Sequence, residues 1–278
     1  MIKTTKTAVV LLTMLLGCAA ADVSALAQVD EQALLSKIAP SIVIVKLVMK
    51  STGAQGGENE AKADVPGVVV DKNGLIMLSN IMFSYSRIGA LMGRGGGGQG
   101  QNFKSFPTSI KTLFDKDDKE YATTLVATDT RLDLMFVRVE GAPKLTPIEF
   151  SPTTTAHIGQ RVLSILRLHK GFDYAAYFQT SQICGIISKP KRALFVEGGL
   201  EGLGLPVFSE RGEALGVLTT LEPGVREEAL VEGMNFHNLT YQVVGGKSGL
   251  VPTFVLPAQT VAGLISQAKM KAGEARKP

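Results

Sequence analysis

Short runs of β-branched and aliphatic residues, separated by turn residues, recur along this 278-residue chain and constrain its fold more than any other feature. The clearest run is Ser41–Met49, whose sequence SIVIVKLVM is typical of a buried strand. Because the runs do not alternate with helical patterns, they predict an all-β barrel or sandwich rather than β/α units. The other predicted strands are Val68–Val70, Leu75–Leu78, Ser109–Phe114, Tyr121–Ala127, Leu134–Val139, Arg161–Leu168, Tyr174–Thr180, Ile183–Ser188, Ala214–Thr220 and Leu239–Val244.

One tight turn and one helix stand out among these strands. Asp71-Lys72-Asn73-Gly74 lies between two strand-like runs, and Asn-Gly readily takes the positive φ angles of a hairpin turn. The sequence therefore predicts a hairpin centred on this tetrapeptide. A packed helix is predicted over Pro257–Ala272, because four apolar residues there share one helical face: Val261, Leu264, Ile265 and Ala268.

The first 27 residues predict export from the cytoplasm. Lys3 and Lys6 give a basic start, Ala8–Leu16 is mostly apolar, and Ala25-Leu26-Ala27 supplies the small-x-small pattern that a signal peptidase cuts. The apolar run is about half the roughly 20 residues of a membrane-spanning helix. We therefore expect a signal peptide over 1–27, a single domain over 28–278 without a transmembrane segment, and a periplasmic or secreted location.

A second processing site is also possible at the same end of the chain. Leu15-Leu16-Gly17-Cys18 resembles a bacterial lipobox, in which Cys18 would be lipidated and become the new N-terminus. This alternative predicts a protein anchored by lipid in the cell envelope, and the residues leave it open beside soluble export.

Charge and histidine placement exclude several function classes. The chain after residue 27 carries 27 basic and 24 acidic residues, a net charge of +3 that is too small to indicate nucleic-acid binding. His157, His169 and His237 are far apart in sequence and have no cysteine partner at metal-ligand spacing. We therefore expect no metal and no cofactor.

One cysteine remains after the predicted cut, so no intramolecular disulfide is expected. Cys184 lies in a strand-like run, which predicts a buried and unreactive thiol. Its reactivity therefore does not enter the functional interpretation.

Two polar segments predict flexible insertions. Residues 51–63 (STGAQGGENEAKA) lack the apolar side chains that would pack them, and 83–107 contains Gly93–Gly100 (GRGGGGQG). A glycine-rich phosphate loop needs a Lys-Ser/Thr step into a helix or a Gly-x-Gly-x-x-Gly turn, and neither follows here. We interpret both segments as surface insertions.

The order of several segments along the chain is informative. The segments are Leu35–Val43, Gly67–Asn80, Asp129–Val137, Ile158–Val162, Gln182–Ser188, a glycine-rich turn ending at Pro206, Gly212–Val217 and Val255–Pro257. This succession resembles the protease domain of HtrA-type (Deg) trypsin-like serine proteases. The resemblance implies an all-β double β-barrel of the trypsin/chymotrypsin type, with a C-terminal helix and a site between the barrels. It also leads us to expect possible homo-oligomers, and no C-terminal PDZ domain because the chain stops after the helix.

The resemblance also implies that two catalytic positions hold other residues. The family's Thr-Asn-x-His stretch corresponds to Leu78–Ile81, so Ile81 stands at the histidine position, while Asp133 keeps the aspartate. The family's Gly-Asn-Ser-Gly-Gly-Pro turn corresponds to Glu201-Gly202-Leu203-Gly204-Leu205-Pro206. Leu203 therefore replaces the serine nucleophile, and Glu201 replaces a glycine whose amide helps to form the oxyanion hole.

These replacements predict a pseudoprotease with no catalytic residues. Isoleucine cannot accept a proton and leucine has no nucleophilic atom. We interpret Asp133 as a structural carboxylate, held by backbone amides near Ile81 and by the Thr219 hydroxyl. Glu201 is interpreted as an exposed loop acid, and Ile81 with Leu203 either fill core space or line an apolar peptide pocket.

Several functions remain open at this point. The leading hypothesis is an exported protein that binds polypeptide, or a partner protein of the cell envelope, without cutting it. The alternatives are a serine endopeptidase as the fold alone would classify it, a hydrolase that uses Asp133 and Glu201, and an envelope scaffold that makes contacts through 83–107.

Overall fold

Twelve strands and two α-helices make up the part of the chain that the computed structural model describes, namely residues 30–52, 58–80, 105–114, 119–141, 143–189, 191–197, 200–220 and 253–274. The helices are α1 (Glu31–Ile38) and α2 (Ala258–Glu274), and 3-10 helices cover Ala39–Ser41 and Lys170–Phe172. The strands are β1 (Ile42–Thr52), β2 (Glu58–Val69), β3 (Leu75–Ser79), β4 (Ser105–Leu113), β5 (Tyr121–Asp129), β6 (Leu134–Val139), β7 (Arg161–Arg167), β8 (Ala176–Ile187), β9 (Ala193–Val196), β10 (Pro206–Ser209), β11 (Ala214–Thr220) and β12 (Thr253–Pro257).

These strands close into two antiparallel barrels of six strands each. Barrel 1 has the order β1-β2-β3-β6-β5-β4, and barrel 2 has the order β10-β11-β12-β9-β8-β7. Closure pairs each strand on both sides and so removes the sheet edges that an open sheet would expose. The predicted all-β double barrel with a C-terminal helix is confirmed.

The β2–β3 hairpin forms where Asn73-Gly74 predicted it, but its turn differs from the expected one. Gly74 has a φ of +89°, whereas Asn73 is not among the described residues with positive φ. The Asn73 amide donates to Oδ1 of Asp71 at 2.7 Å, and the Gly74 amide donates to the Asp71 carbonyl at 3.1 Å. Asp71 therefore shapes the turn, and Gly74 alone supplies the left-handed backbone.

The structure departs from the predicted flexible insertion over 51–63. Strand β1 continues to Thr52 and β2 starts at Glu58, and these two residues are paired. Because ladder hydrogen bonds run through the backbone, a segment with few apolar side chains can still pair. At the end of the other predicted insertion, 83–107, Ser105 already begins β4.

Other predicted features fall on residues outside the described part of the chain. They include the two processing sites, the histidine position, most of the glycine-rich insertion and one predicted strand. In sequence order these are 1–27 with Cys18, Ile81, 83–104 and Leu239–Val244.

Strand β8 is one continuous strand of twelve residues where the sequence predicted two. Ile183 points into barrel 2 and is buried, so by strand alternation Cys184 points outward. Cys184 is exposed. The predicted buried thiol is therefore wrong, because the neighbouring Ile183 is the residue that faces the barrel interior. Its Sγ donates to the Phe195 carbonyl at 3.4 Å, and desolvation raises the pKa of the thiol.

Each barrel has its own apolar core, and a third core joins the two. Residues such as Leu47 and Ile76 fill barrel 1, and residues such as Leu218 fill barrel 2. The shared core takes buried side chains from both barrels and both helices, including Leu34, Ile38, Leu134, Ile165, Leu205 and Val261. The barrels therefore bury a continuous apolar surface between them.

Polar contacts tie the two barrels at the start of β1. The Arg167 guanidinium of barrel 2 donates to the carbonyls of Ile42 at 2.6 Å, Ala39 at 2.8 Å and Tyr174 at 3.1 Å. The Tyr174 hydroxyl in turn donates to Oδ2 of Asp64 on β2 at 2.7 Å. The planar guanidinium of Arg167 thus donates to three carbonyls and helps to fix the position of one barrel against the other.

Helix α2 lies where the apolar pattern predicted it and fastens the end of the chain to barrel 1. Val261 and Ala268 are buried on its inner face. Lys269 pairs with Asp71 at 2.7 Å, and Nη1 of Arg138 donates to the Ala272 carbonyl at 2.6 Å near the helix C-terminus. None of the helices in the described residues has the length and apolar character needed to cross a bilayer.

Candidate functional site

Asp133 lies in a closed polar pocket between β3 and β6. Its side chain is 1% exposed, and Oδ2 accepts a hydrogen bond from the Ser79 hydroxyl at 3.0 Å and a longer one from the Thr220 hydroxyl at 3.5 Å. The Asn80 amide donates to the Asp133 carbonyl at 2.9 Å. A buried carboxylate needs such donors, because without them the charge would be strongly disfavoured.

The hydroxyl that the sequence analysis assigned to Asp133 has another partner. Thr219 donates to the Leu132 carbonyl at 2.5 Å, and its neighbour Thr220 faces Asp133 instead. Adjacent strand residues point to opposite faces, so only one of the two threonines can reach the carboxylate. Both threonines belong to barrel 2, so each forms a hydrogen bond across to barrel 1.

The Glu201–Leu205 turn, called the nucleophile turn below, packs directly on the Asp133 pocket. Gly204 has a φ of +83°, and a Cβ built there would lie 2.2 Å from the Ser79 amide nitrogen. Its own amide donates to the Leu218 carbonyl at 2.8 Å. Only glycine fits this contact, which brings the nucleophile turn of barrel 2 against the β3 strand of barrel 1.

The first amide of the nucleophile turn is already hydrogen-bonded within the protein. The Glu201 amide donates to Oε1 of Gln179 on β8 at 2.9 Å. In the family resemblance this is the position whose amide helps to form the oxyanion hole. An oxyanion donor has to point at the reacting carbonyl, and this one points at a side chain instead. Sequence reasoning missed Gln179, because it lies 22 positions before Glu201 and belongs to no recognisable motif.

The three positions that the family resemblance assigns to a catalytic triad have different surroundings in the structure. Leu203 is half-buried and packs against the core of barrel 2. Asp133 lies next to the β3 strand end, and Ile81 follows that end just outside the described residues. The Leu203 side chain is a saturated hydrocarbon and has no atom that can attack a carbonyl.

Glu201 is exposed, and its charge raises the pKa of a tyrosine on strand β8. Burial raises the pKa of Tyr177 above its usual value, and the negative charge of Glu201 raises it further. Asp133 and Glu201 differ sharply in exposure, because Asp133 is closed off from solvent.

The chain forms two closed antiparallel barrels, which meet at a buried aspartate and a glycine turn and are followed by a C-terminal helix. This architecture defines the trypsin-like double-barrel class of protein. The sequence matches the family described as trypsin-like peptidase domain over residues 66–217. The chain belongs to this family. No curated protein matches the sequence.

Proposed function

We propose that this protein is an exported, catalytically inactive homologue of HtrA-type trypsin-like proteases, which binds a polypeptide or an envelope partner protein without cutting it. The observation that carries the proposal is the state of the nucleophile turn. Leu203 occupies the serine position, and the adjoining Glu201 amide is held by Gln179. Loss of the serine or the histidine of a catalytic triad typically costs about 10⁶ in turnover, roughly 8 kcal/mol of barrier.

The retained scaffold supports a binding role. Asp133 accepts a hydrogen bond from the Ser79 hydroxyl, and Gly204 lies against the backbone of Ser79, so the two barrels meet closely at this site. Half-buried Leu203 gives this site an apolar surface. A polypeptide captured there would be held by backbone hydrogen bonds and by side chains against this surface.

The experiment that tests inactivity is turnover of labelled, unfolded casein by the purified chain without its first 27 residues. We expect no cleavage above buffer, with an active HtrA-type protease as the positive control. Cleavage that disappears in an Asp133→Ala variant that still folds would contradict the proposal, because it would require a working triad.

The binding half of the proposal is tested with Leu203→Arg. A charged side chain at this half-buried position should weaken binding of unfolded casein at least tenfold, measured by fluorescence anisotropy. The matched control is Leu125→Arg, since Leu125 is 47% exposed on β5. Equal binding by wild type and both variants would exclude the former substrate site as the binding surface.

The exported location is tested separately, by fractionation and intact mass. We expect the chain to start at residue 28 in the periplasm or medium. A mass that includes a lipid on Cys18 would replace soluble export with the lipid-anchored alternative.

A further inference from the structure

A polar cleft of about 650 Å³ lies at the junction of α1, the linker between the barrels and the β10–β11 turn. It contains no triad position and no residue of the nucleophile turn. Its volume lies within the usual range of ligand sites, about 300–1,000 Å³. The linker between the barrels, residues 143–160, forms most of one wall.

The main chain of the linker forms part of that wall. Thr146, Pro147, Ile148 and Glu149 are consecutive, and all four line the cleft. In an extended segment alternate side chains point away from each other, so four consecutive lining residues require that the backbone itself faces the cleft.

Two backbone amides of this wall make no backbone hydrogen bond within the described part of the chain. The Ile148 amide donates to the Val69 carbonyl at 2.9 Å, which anchors the linker on barrel 1. The amides of Glu149 and Thr155 form no such bond to described residues. An extended ligand can pair with amides of this kind, as a strand does when it is added to a sheet.

The side chains of the cleft add hydroxyls and an excess of acid. Thr146, Thr154 and Thr155 line the cleft, and their hydroxyls have no hydrogen bond to the described residues. Glu149 and Glu213 line it as well, against a single ammonium from Lys37. The charge balance favours a cationic group over an anionic one.

The floor of the cleft is apolar but offers no aromatic face. Ile38 and Phe208 line it, and they are 3% and 1% exposed. A saccharide would need an exposed ring for stacking, and Phe208 does not present one. Recognition of a ligand therefore depends on the polar walls of the cleft.

We propose that this cleft is a second binding site, which takes an extended peptide segment carrying a basic side chain from a partner polypeptide. The linker backbone and threonine hydroxyls bind the peptide backbone, and Glu149 and Glu213 receive the basic group. The site is independent of the proposed role of the nucleophile turn.

The test uses three fluorescein-labelled octapeptides of alanine and serine, with blocked ends, that carry two lysines, two glutamates or neither. Anisotropy titrations of the purified chain should show the tightest binding for the lysine peptide, with weaker binding at high salt. Equal affinity for all three peptides, or no binding at millimolar peptide, would overturn the proposal. Binding of chitotriose without binding of the lysine peptide would also overturn it.

Two variants assign the binding to the cleft. Glu149→Gln with Glu213→Gln should lower the affinity for the lysine peptide about three- to tenfold, as expected for exposed charge pairs. Thr155→Trp should reduce binding more than tenfold by filling the cleft, whereas Thr180→Trp, on exposed β8, should not change it. Unchanged binding in Thr155→Trp would place the peptide elsewhere and refute the site.

Failure of this proposal can be distinguished from failure of the proposed function. Leu203→Arg should leave binding of the lysine peptide unchanged, since Leu203 does not line the cleft. If Leu203→Arg removes it while Thr155→Trp does not, the peptide binds at the nucleophile turn and the second site is refuted. Circular dichroism of each variant establishes that the fold is retained.

Discussion

The Asp133 pocket and the nucleophile turn, which the proposed function treats as the two halves of a former catalytic site, differ in burial. Asp133 is 1% exposed, with Ser79 and Thr220 as hydrogen-bond donors. In the turn, Glu201 is exposed and Leu203 is only half-buried. The residue that the family resemblance matches therefore lies inside the protein, and the two residues that depart from it lie towards the surface.

This difference separates structural roles from catalytic ones. Asp133 and its partners link β3, β6 and β11, so its replacement would disturb both barrels even when no reaction depends on it. Leu203 and Glu201 have no comparable role, because the turn is held by Gly204 and by backbone bonds to β11. If the proposed function is right, the residues that changed are those on which the fold does not depend.

The largest expected effect is at the contact between the two halves. Gly204→Ala should lower the free energy of unfolding by about 3–5 kcal/mol, because its Cβ would collide with the backbone of Ser79 at a positive φ. Gly141→Ala is the matched control: its φ is +62° but nothing lies within 4 Å of the new Cβ. Urea denaturation should show a loss of about 1 kcal/mol for that control. Equal losses of unfolding free energy in the two variants would mean that the contact between Gly204 and Ser79 is too loose to exclude a Cβ.

The second effect tests whether Asp133 is structural. Asp133→Ala should cost about 2–4 kcal/mol in urea denaturation, since it leaves the buried hydroxyls of Ser79 and Thr220 without their acceptor. Asp173→Ala controls for the backbone, because Asp173 also has a positive φ, +54°, but is exposed. A cost for Asp133→Ala no greater than that of Asp173→Ala would assign the effect to backbone conformation alone.

The smallest effect concerns the exposed half. Glu201→Gln removes a negative charge beside Tyr177, so the pKa of Tyr177 should fall while staying above its usual value, because burial is the larger cause of its elevation. Spectrophotometric titration measures this, with Tyr177→Phe identifying the transition. Glu197→Gln should leave Tyr177 unchanged and lower the pKa of Cys184 instead. If the pKa of Tyr177 is the same in Glu201→Gln as in the wild type, the charge of Glu201 does not act on Tyr177 of β8.

The positions of some strands followed from local pattern, but those of β9, β10 and β12 and the direction of some side chains did not. β6 and β11 have the predicted bounds, since each is mostly apolar and is buried almost throughout. At Cys184 and Thr219 the predicted side-chain environment was wrong by one residue. One residue reverses the face in a strand, and only the closed barrel decides which face is inside.

Contacts between distant segments could not be predicted from the sequence. Gln179 bonds the Glu201 amide, and the Arg167 guanidinium bonds the Ala39 and Ile42 carbonyls more than a hundred positions earlier. Residues 58–63 belong to the flexible insertion predicted over 51–63, yet they pair with β1. This pairing uses the backbone and leaves no apolar pattern in the sequence.

The sequence by itself determined the all-β class, the hairpin at Asp71–Gly74, the C-terminal helix and the absence of a nucleophilic atom at Leu203. These depend on local pattern and on the identity of single side chains. The tertiary structure alone decided that two barrels close, that Ser79 and Thr220 hold Asp133, and that the barrel linker lines a cleft with Glu149 and Glu213. Those features depend on which distant backbones meet, and that is fixed by burial summed over the whole chain.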